Sequence, residues 1–265
     1  MNHENAMTMK TCLIRAAIAA IGMFLCAVVG FFVSLLAGCG GFDDFGDPLH
    51  NAAYRGDSVK VQELLNQGVP VDRRTQFGNY TALILAGYTP CTNVVGLLVK
   101  NGANVNAQDT MGMSALHCAA SKGQVDTARL LIQNGANLSL TNSCGFTPLH
   151  EAAGKGPPIL VELLLVAGSS VSARDCRGWQ PLHAALSSNP HKPEERCRIV
   201  EQLIAHGADP NFCNTGGWED DSNHDSHVGR RSPGNPNRGN TPLAIAKSNG
   251  FTNIVELLKS KGANE

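Results

Sequence analysis

Apolar and polar positions divide the chain into two parts. Residues 16–37 (AAIAAIGMFLCAVVGFFVSLLA) are apolar and carry no charge. From residue 47 onward, short apolar clusters alternate with polar stretches rich in Gly and Asn. One cluster recurs six times, anchored at Leu49, Leu83, Leu116, Leu149, Leu182 and Leu243, with steps of 34, 33, 33, 33 and 61 residues. The anchor is usually followed by a His and a pair of Ala, as in Leu149-His150-Glu151-Ala152-Ala153. A second apolar cluster, usually Leu-Leu, follows each anchor and ends at a Gly, as in Leu130-Leu131 before Gly135. The distance from anchor Leu to that Gly is 19 residues in five units and 25 in the fifth.

Each cluster predicts a short helix. Thr147 and Thr241 suit the N-cap, and the Pro after each suits the first helical turn. The Leu and Ala pair make a narrow first helix. Val125, Leu130 and Leu131 mark one face of a second, which Gly135 stops. Between units lies a turn-forming loop such as Thr141-Asn142-Ser143-Cys144-Gly145. One such helix pair cannot bury its own apolar face, so the units must stack.

A 33-residue period with Thr-Pro-Leu-His-x-Ala-Ala, then Val-x-x-Leu-Leu, then Gly-Ala-x-x-Asn, resembles the ankyrin repeat. The resemblance covers residues 47–265 and implies an all-α solenoid of six helix-turn-helix units joined by finger loops. The units lie near 47–78, 79–112, 113–145, 146–178, 179–214 and 240–265. It also implies a structural role for His50, His117, His150 and His183, which share one repeat position and would bond backbone around the finger. The first unit lacks Thr before its Pro. The second departs most, with Ile84 for His, Gly87 for Ala and Pro90 between its helices, and is expected to be looser. The fifth gains a Pro-bounded loop around Ser187–Pro193, and a polar insertion occupies 215–239.

The apolar run has a different meaning. Lys10 and Arg15 precede it, as in a secretory signal, and it is also long enough to cross a bilayer as an uncleaved helix. Its end, Leu35-Leu36-Ala37-Gly38-Cys39, resembles a bacterial lipobox. That resemblance implies a lipoprotein signal peptide at 1–38, cleavage after Gly38, acylation of Cys39 and a short tether at 39–46. The folded part would then face the periplasm from a membrane. Gly40, where an Asp would mark inner-membrane retention, leans towards the outer one.

Charge and chemistry narrow the function. Lys+Arg is 21 and Asp+Glu is 22, which argues against a nucleic acid partner held by bulk charge. No phosphate loop, nucleophile elbow or His-Glu-x-x-His motif is present, so no enzyme and no cofactor are expected. Asp220, Asp221, His224, Asp225 and His227 in the insertion offer hard ligands for a divalent cation, and with it an alternative metal-dependent activity, but a solvated loop is the simpler reading. Cys144, Cys176 and Cys213 fall in successive fingers, and Cys144 and Cys176 are one place out of register. Stacked ankyrin units lie about 10 Å apart, so free thiols are expected ahead of a Cys144–Cys176 bridge.

The family resemblance implies a protein-protein interaction module. The position after each finger Gly holds Tyr80 (displaced by one), Met113, Phe146, Trp179 and, in the last unit, Asn240. The four large side chains would form a stripe along the concave face. Alternatively, these rings pack on neighbouring fingers. Arg74, Arg174 and Arg177, with Arg73, Asp109 and Asp175, would give the stripe a polar rim. Tyr54, Arg55, Lys122, Glu151 and Lys155 on the first helices should face the same groove. The sequence leaves the partner open between a scaffolded envelope protein and a secreted antibacterial effector, such as a lipase, that this chain would neutralise as an immunity protein.

Overall fold

The computed structural model describes residues 46–187, 192–214 and 241–264. The expected signal peptide, Cys39 and all of the expected tether but Gly46, the 215–239 insertion with its candidate ligands, and Asn240 lie outside the described residues.

Six helix pairs follow one another. They are α1 (Pro48–Arg55) with α2 (Ser58–Asn66), α3 (Ala82–Gly87) with α4 (Thr92–Lys100), and α5 (Ala115–Lys122) with α6 (Val125–Gln133). Then come α7 (Pro148–Lys155) with α8 (Pro158–Val166), α9 (Pro181–Ser187) with α10 (Pro193–Ala205), and α11 (Pro242–Ser248) with α12 (Thr252–Ser260). Each first helix packs on the first helix of the next unit, and each second helix on the next second helix. No strand occurs among the described residues; a single isolated bridge joins Gln108 to Ser114.

The recurring residues build this stack directly. All six anchor leucines are buried, Leu243 being the most accessible at 2%. The Ala pairs (Ala52-Ala53, Ala119-Ala120, Ala152-Ala153) are buried beside them and keep the first helices thin enough for neighbouring backbones to approach. Second helices contribute Val61, Leu98, Leu131, Leu164, Leu203 and Leu258 to the same core. Thr81, Ser114, Thr147 and Thr241 cap their helices by accepting the amide three residues on. In the first unit Asp47 takes over this role. It accepts the Leu49 amide at 2.9 Å, lies 3.1 Å from His50 Nδ1 and pairs with Arg73 at 2.8 Å. Burial works to raise its pKa, but these partners overcome that and hold the carboxyl below the usual range.

Two expectations change. Unit two is shorter but not slack: every residue of α3 is buried. Ile84, in the histidine position, packs with Ala107, Met113 and Cys118, and with the rings of Tyr80 and Tyr88. An apolar contact there replaces a polar anchor. In unit five Pro193 is not part of a rigid loop. It is the first residue of α10, which runs for 13 residues where α8 has 9. Part of the insertion is therefore helix. From that helix Arg196, 2% exposed, lies 3.9 Å over the ring of Phe251 and ties unit five to unit six.

Candidate functional site: the finger stack and its face

The fingers are held by a repeated polar device at their bases. One side-chain oxygen accepts two amides across each turn. Asp109 Oδ1 takes Met111 and Met113, Asn142 Oδ1 takes Cys144 and Phe146, and Asp175 Oδ1 takes Arg177 and Trp179, all at 2.8–3.0 Å. Acidic or amide side chains with short reach fit this role because they mimic a backbone turn. Burial pushes the Asp109 carboxyl up, and the two amides it accepts oppose that.

Successive fingers bond to each other. The Thr110 amide donates to Gly78, Ser143 to Met111 and Cys176 to Cys144, at 2.8–3.0 Å. Contact is close enough that a Cβ on Gly145 would lie 2.8 Å from the Cys176 nitrogen and 2.9 Å from the Asp175 Cα. Cys144 and Cys176 meet through their backbones, and both thiols are free, as expected from the sequence. A second ladder runs along the finger bases, where Asp72 accepts the Asn104 amide and Asn106 the Asn137 amide.

Histidines join each helix to the finger that follows. Nε2 of His117 lies 3.0 Å from the Phe146 carbonyl and Nε2 of His150 lies 3.0 Å from that of Trp179. A carbonyl only accepts, so Nε2 carries the proton and Nδ1 accepts from Ser114 or Thr147. His50 reaches the carbonyls of Arg73 and Tyr80 in the same way. Burial lowers the pKa of both His117 and His150, partly opposed by their carbonyl bonds, so both are neutral at pH 7. Burial likewise pushes the Tyr88 hydroxyl and the Cys118 thiol far above their ordinary values, leaving both protonated. None of these groups is poised for proton transfer.

The expected stripe is assembled differently from an open groove. Met113 and Trp179 are buried, Trp179 at 5% exposure, while Tyr80 and Phe146 are half-buried. Phe146 stacks on His150 and Trp179 on His183, with centroids at 5.7 and 6.2 Å. The structure therefore corrects the picture of four side chains laid along the surface: the rings lie against their own anchor histidines, and Met113 joins the Ile84 cluster. Arg177 covers the pair, 4.0 Å over Trp179 and 5.4 Å over Phe146, and is fixed by Nε and an η nitrogen on Asp175 Oδ2. Arg174 lies 4.8 Å over Phe212, whose ring meets His183 edge-on. Arg74 stays away from the rings and spans two fingers through the carbonyls of Asn79 and Gln108. Of the first-helix residues, Glu151 is buried and bonded to exposed Lys155 at 3.0 Å.

Sequence reasoning missed two residues. Phe77, 83% exposed at the first finger, is the most accessible large apolar side chain among the described residues. It precedes its finger Gly, whereas the repeat drew attention to the residue after it. Phe212 stands where other fingers carry Arg73, Ala107, Leu140 and Ala173, a variable place that gives no consistent signal. Other exposed apolar side chains (Val59, Ile159, Val166) are on second helices. No group of metal-ligating side chains occurs among the described residues, and no helix there is long and apolar enough to cross a membrane.

Comparison with known proteins agrees with this geometry. The sequence family described as ankyrin repeats matches residues 23–109, 49–142 and 116–214, and a single ankyrin repeat matches 238–265. The crystal structure of an ankyrin repeat domain from Acinetobacter baumannii AYE is similar, with a TM-score of 0.65 and 30% identity over 82% of this chain and 98% of that one. The B-cell lymphoma 3 protein homolog of Mus musculus is 38% identical over 81 residues, 31% of this chain and 18% of that protein. The neurogenic locus notch homolog protein 1 of Homo sapiens is 40% identical over 83 residues, 31% of this chain and 3% of that one. The chain thus spans a small part of these curated relatives.

Proposed function

Because the chain belongs to the ankyrin-repeat family, a family of protein-protein interaction modules, we propose that it is a lipid-anchored binder of the bacterial cell envelope. It takes a protein partner on its finger face. The observation that carries this reading is the preformed finger stack. Backbone bonds between fingers, side-chain bonds within them and the guanidinium of Arg177 over two rings fix the surface before any partner arrives. A surface already ordered loses little entropy on binding. Contacts fall to Phe77, the open parts of Tyr80 and Phe146, and the exposed Arg74, Arg174 and Arg177, with Met113 and Trp179 as the floor beneath.

The lipobox at Leu36-Ala37-Gly38-Cys39 supports the anchor. Acylation there holds the binder at a membrane, facing the periplasm and at the outer membrane, and raises its effective concentration for envelope partners.

The test is site-specific photo-crosslinking in the source cells, with the probe at position 77 on the finger or at exposed Gln133 on a second helix. The reading predicts a protein adduct from position 77 and none from 133. Adducts from 133 alone overturn it.

A further inference from the structure

Charge on this face is sorted by depth. Every Lys and Arg on the described fingers and first helices is exposed, including Arg55, Arg73, Arg74, Lys122, Arg174 and Arg177. The carboxylates there are drawn inward. Asp47, Asp109, Glu151 and Asp175 are buried, and each accepts hydrogen bonds from amides or from a cation. Only Asp72 and Asp209 are exposed. The second helices show no such sorting: Lys60 pairs with Glu63, and exposed Lys100 and Arg129 share their surface with Asp126, Glu194 and Glu201. With a net charge of −1 over the chain, the positive face is a local arrangement.

We propose that the partner presents an acidic segment, a run of Asp and Glu, to this face. The proposal rests on the reading of the face as the protein-binding surface. Guanidinium groups take carboxylates in paired hydrogen bonds. Two levels of cations are offered: on the fingers Arg74 and Arg174, flanked by Arg73 and Arg177 that Asp47 and Asp175 already hold, and on the last turns of first helices Arg55 and Lys122. An irregular protein segment meets both levels, whereas a flat anionic bilayer meets one. Exposed Phe77 beside Arg73 and Arg74 adds an apolar foothold at one end. Complementary charge of this kind speeds encounter and selects partners.

The test uses the full-length chain in detergent and fluorescein-labelled poly-glutamate, read by polarisation. Poly-lysine and phosphatidylserine vesicles are parallel probes. Poly-glutamate binds at low ionic strength and weakens as salt is added. The triple variant Arg55→Ser, Lys122→Ser, Arg174→Ser loses roughly tenfold or more in affinity. The variant Lys60→Ser, Lys100→Ser, Arg129→Ser removes the same charge from the second helices and binds as the parent does. Circular dichroism confirms that both are folded. Equal loss in both variants, no binding of poly-glutamate, or binding of the vesicles in its place overturns the proposal. A partner crosslinked at position 77 that has no acidic segment overturns this inference while leaving the binding reading intact. Poly-glutamate binding without any position-77 adduct overturns the reading instead.

Discussion

Replacing Gly145 by Ala isolates the finger-to-finger contact that the binding surface depends on. Gly145 has φ +77°. Its added Cβ would meet backbone, at 2.8 Å from the Cys176 nitrogen and 3.0 Å from the Asp175 carbonyl carbon. Backbone cannot swing aside as a side-chain tip does. The control is Gly135, at φ +81° with nothing within 4 Å of its added Cβ. Both substitutions meet the left-handed penalty of about 1–2 kcal/mol. Gly145→Ala also strains or breaks the Cys176–Cys144 bond at 2.9 Å, a further 1 kcal/mol or so. Overlap with three neighbouring backbone atoms adds about 1–3 kcal/mol. Gly145→Ala is therefore expected to destabilise by about 2–4 kcal/mol more than Gly135→Ala. Urea unfolding followed by circular dichroism measures the difference from the midpoints, provided the slopes agree. Equal midpoints for the two variants would show that the fingers do not bear on each other as described.

Other consequences follow from the anchors, the stripe and the tail. His150→Leu removes the Trp179 carbonyl bond and both Thr147 bonds, and should cost about 2–3 kcal/mol in the same assay. For pH, burial lowers the His117 and His150 pKa values in the fold, while the unfolded chain keeps the ordinary 6.5. Below about pH 6.5 the unfolded state therefore binds more protons, and Tm should fall as pH drops from there, less steeply in a His117→Leu/His150→Leu variant. Arg177→Ala should leave stability within about 1 kcal/mol, since the side chain is 46% exposed, yet weaken partner capture, measured by titration calorimetry. Cys39→Ser should remove the acyl mass from the N-terminus and release the chain from membranes, read by mass spectrometry and fractionation.

The repeat was legible because its rules are local. Cap, anchor and stop residues act within one unit, so Thr147, Leu149 and Gly135 announce their roles wherever they stand. The anchor histidines were readable for the same reason. The stripe was less so. Whether Trp179 faces out or lies under Arg177 depends on the distance between fingers, which no single unit encodes. Asp47 illustrates substitution of mechanism: a carboxylate does the work of the missing Thr and also reaches Arg73. Phe77 carries no consistent periodic signal, because the other fingers have Met111, Cys144 and Arg177 in that place. Ile84 shows that losing the anchor histidine need not loosen a unit when apolar neighbours close over it.

Hydrogen exchange on the full-length chain, alone and with its crosslinked partner, tests the central claim most directly. The account predicts added protection in residues 72–80 and 171–178 and at the ends of α5 and α7, with α6 and α8 unchanged. Protection confined to second helices, such as the exposed Ile159 and Val166 surface of α8, would contradict it.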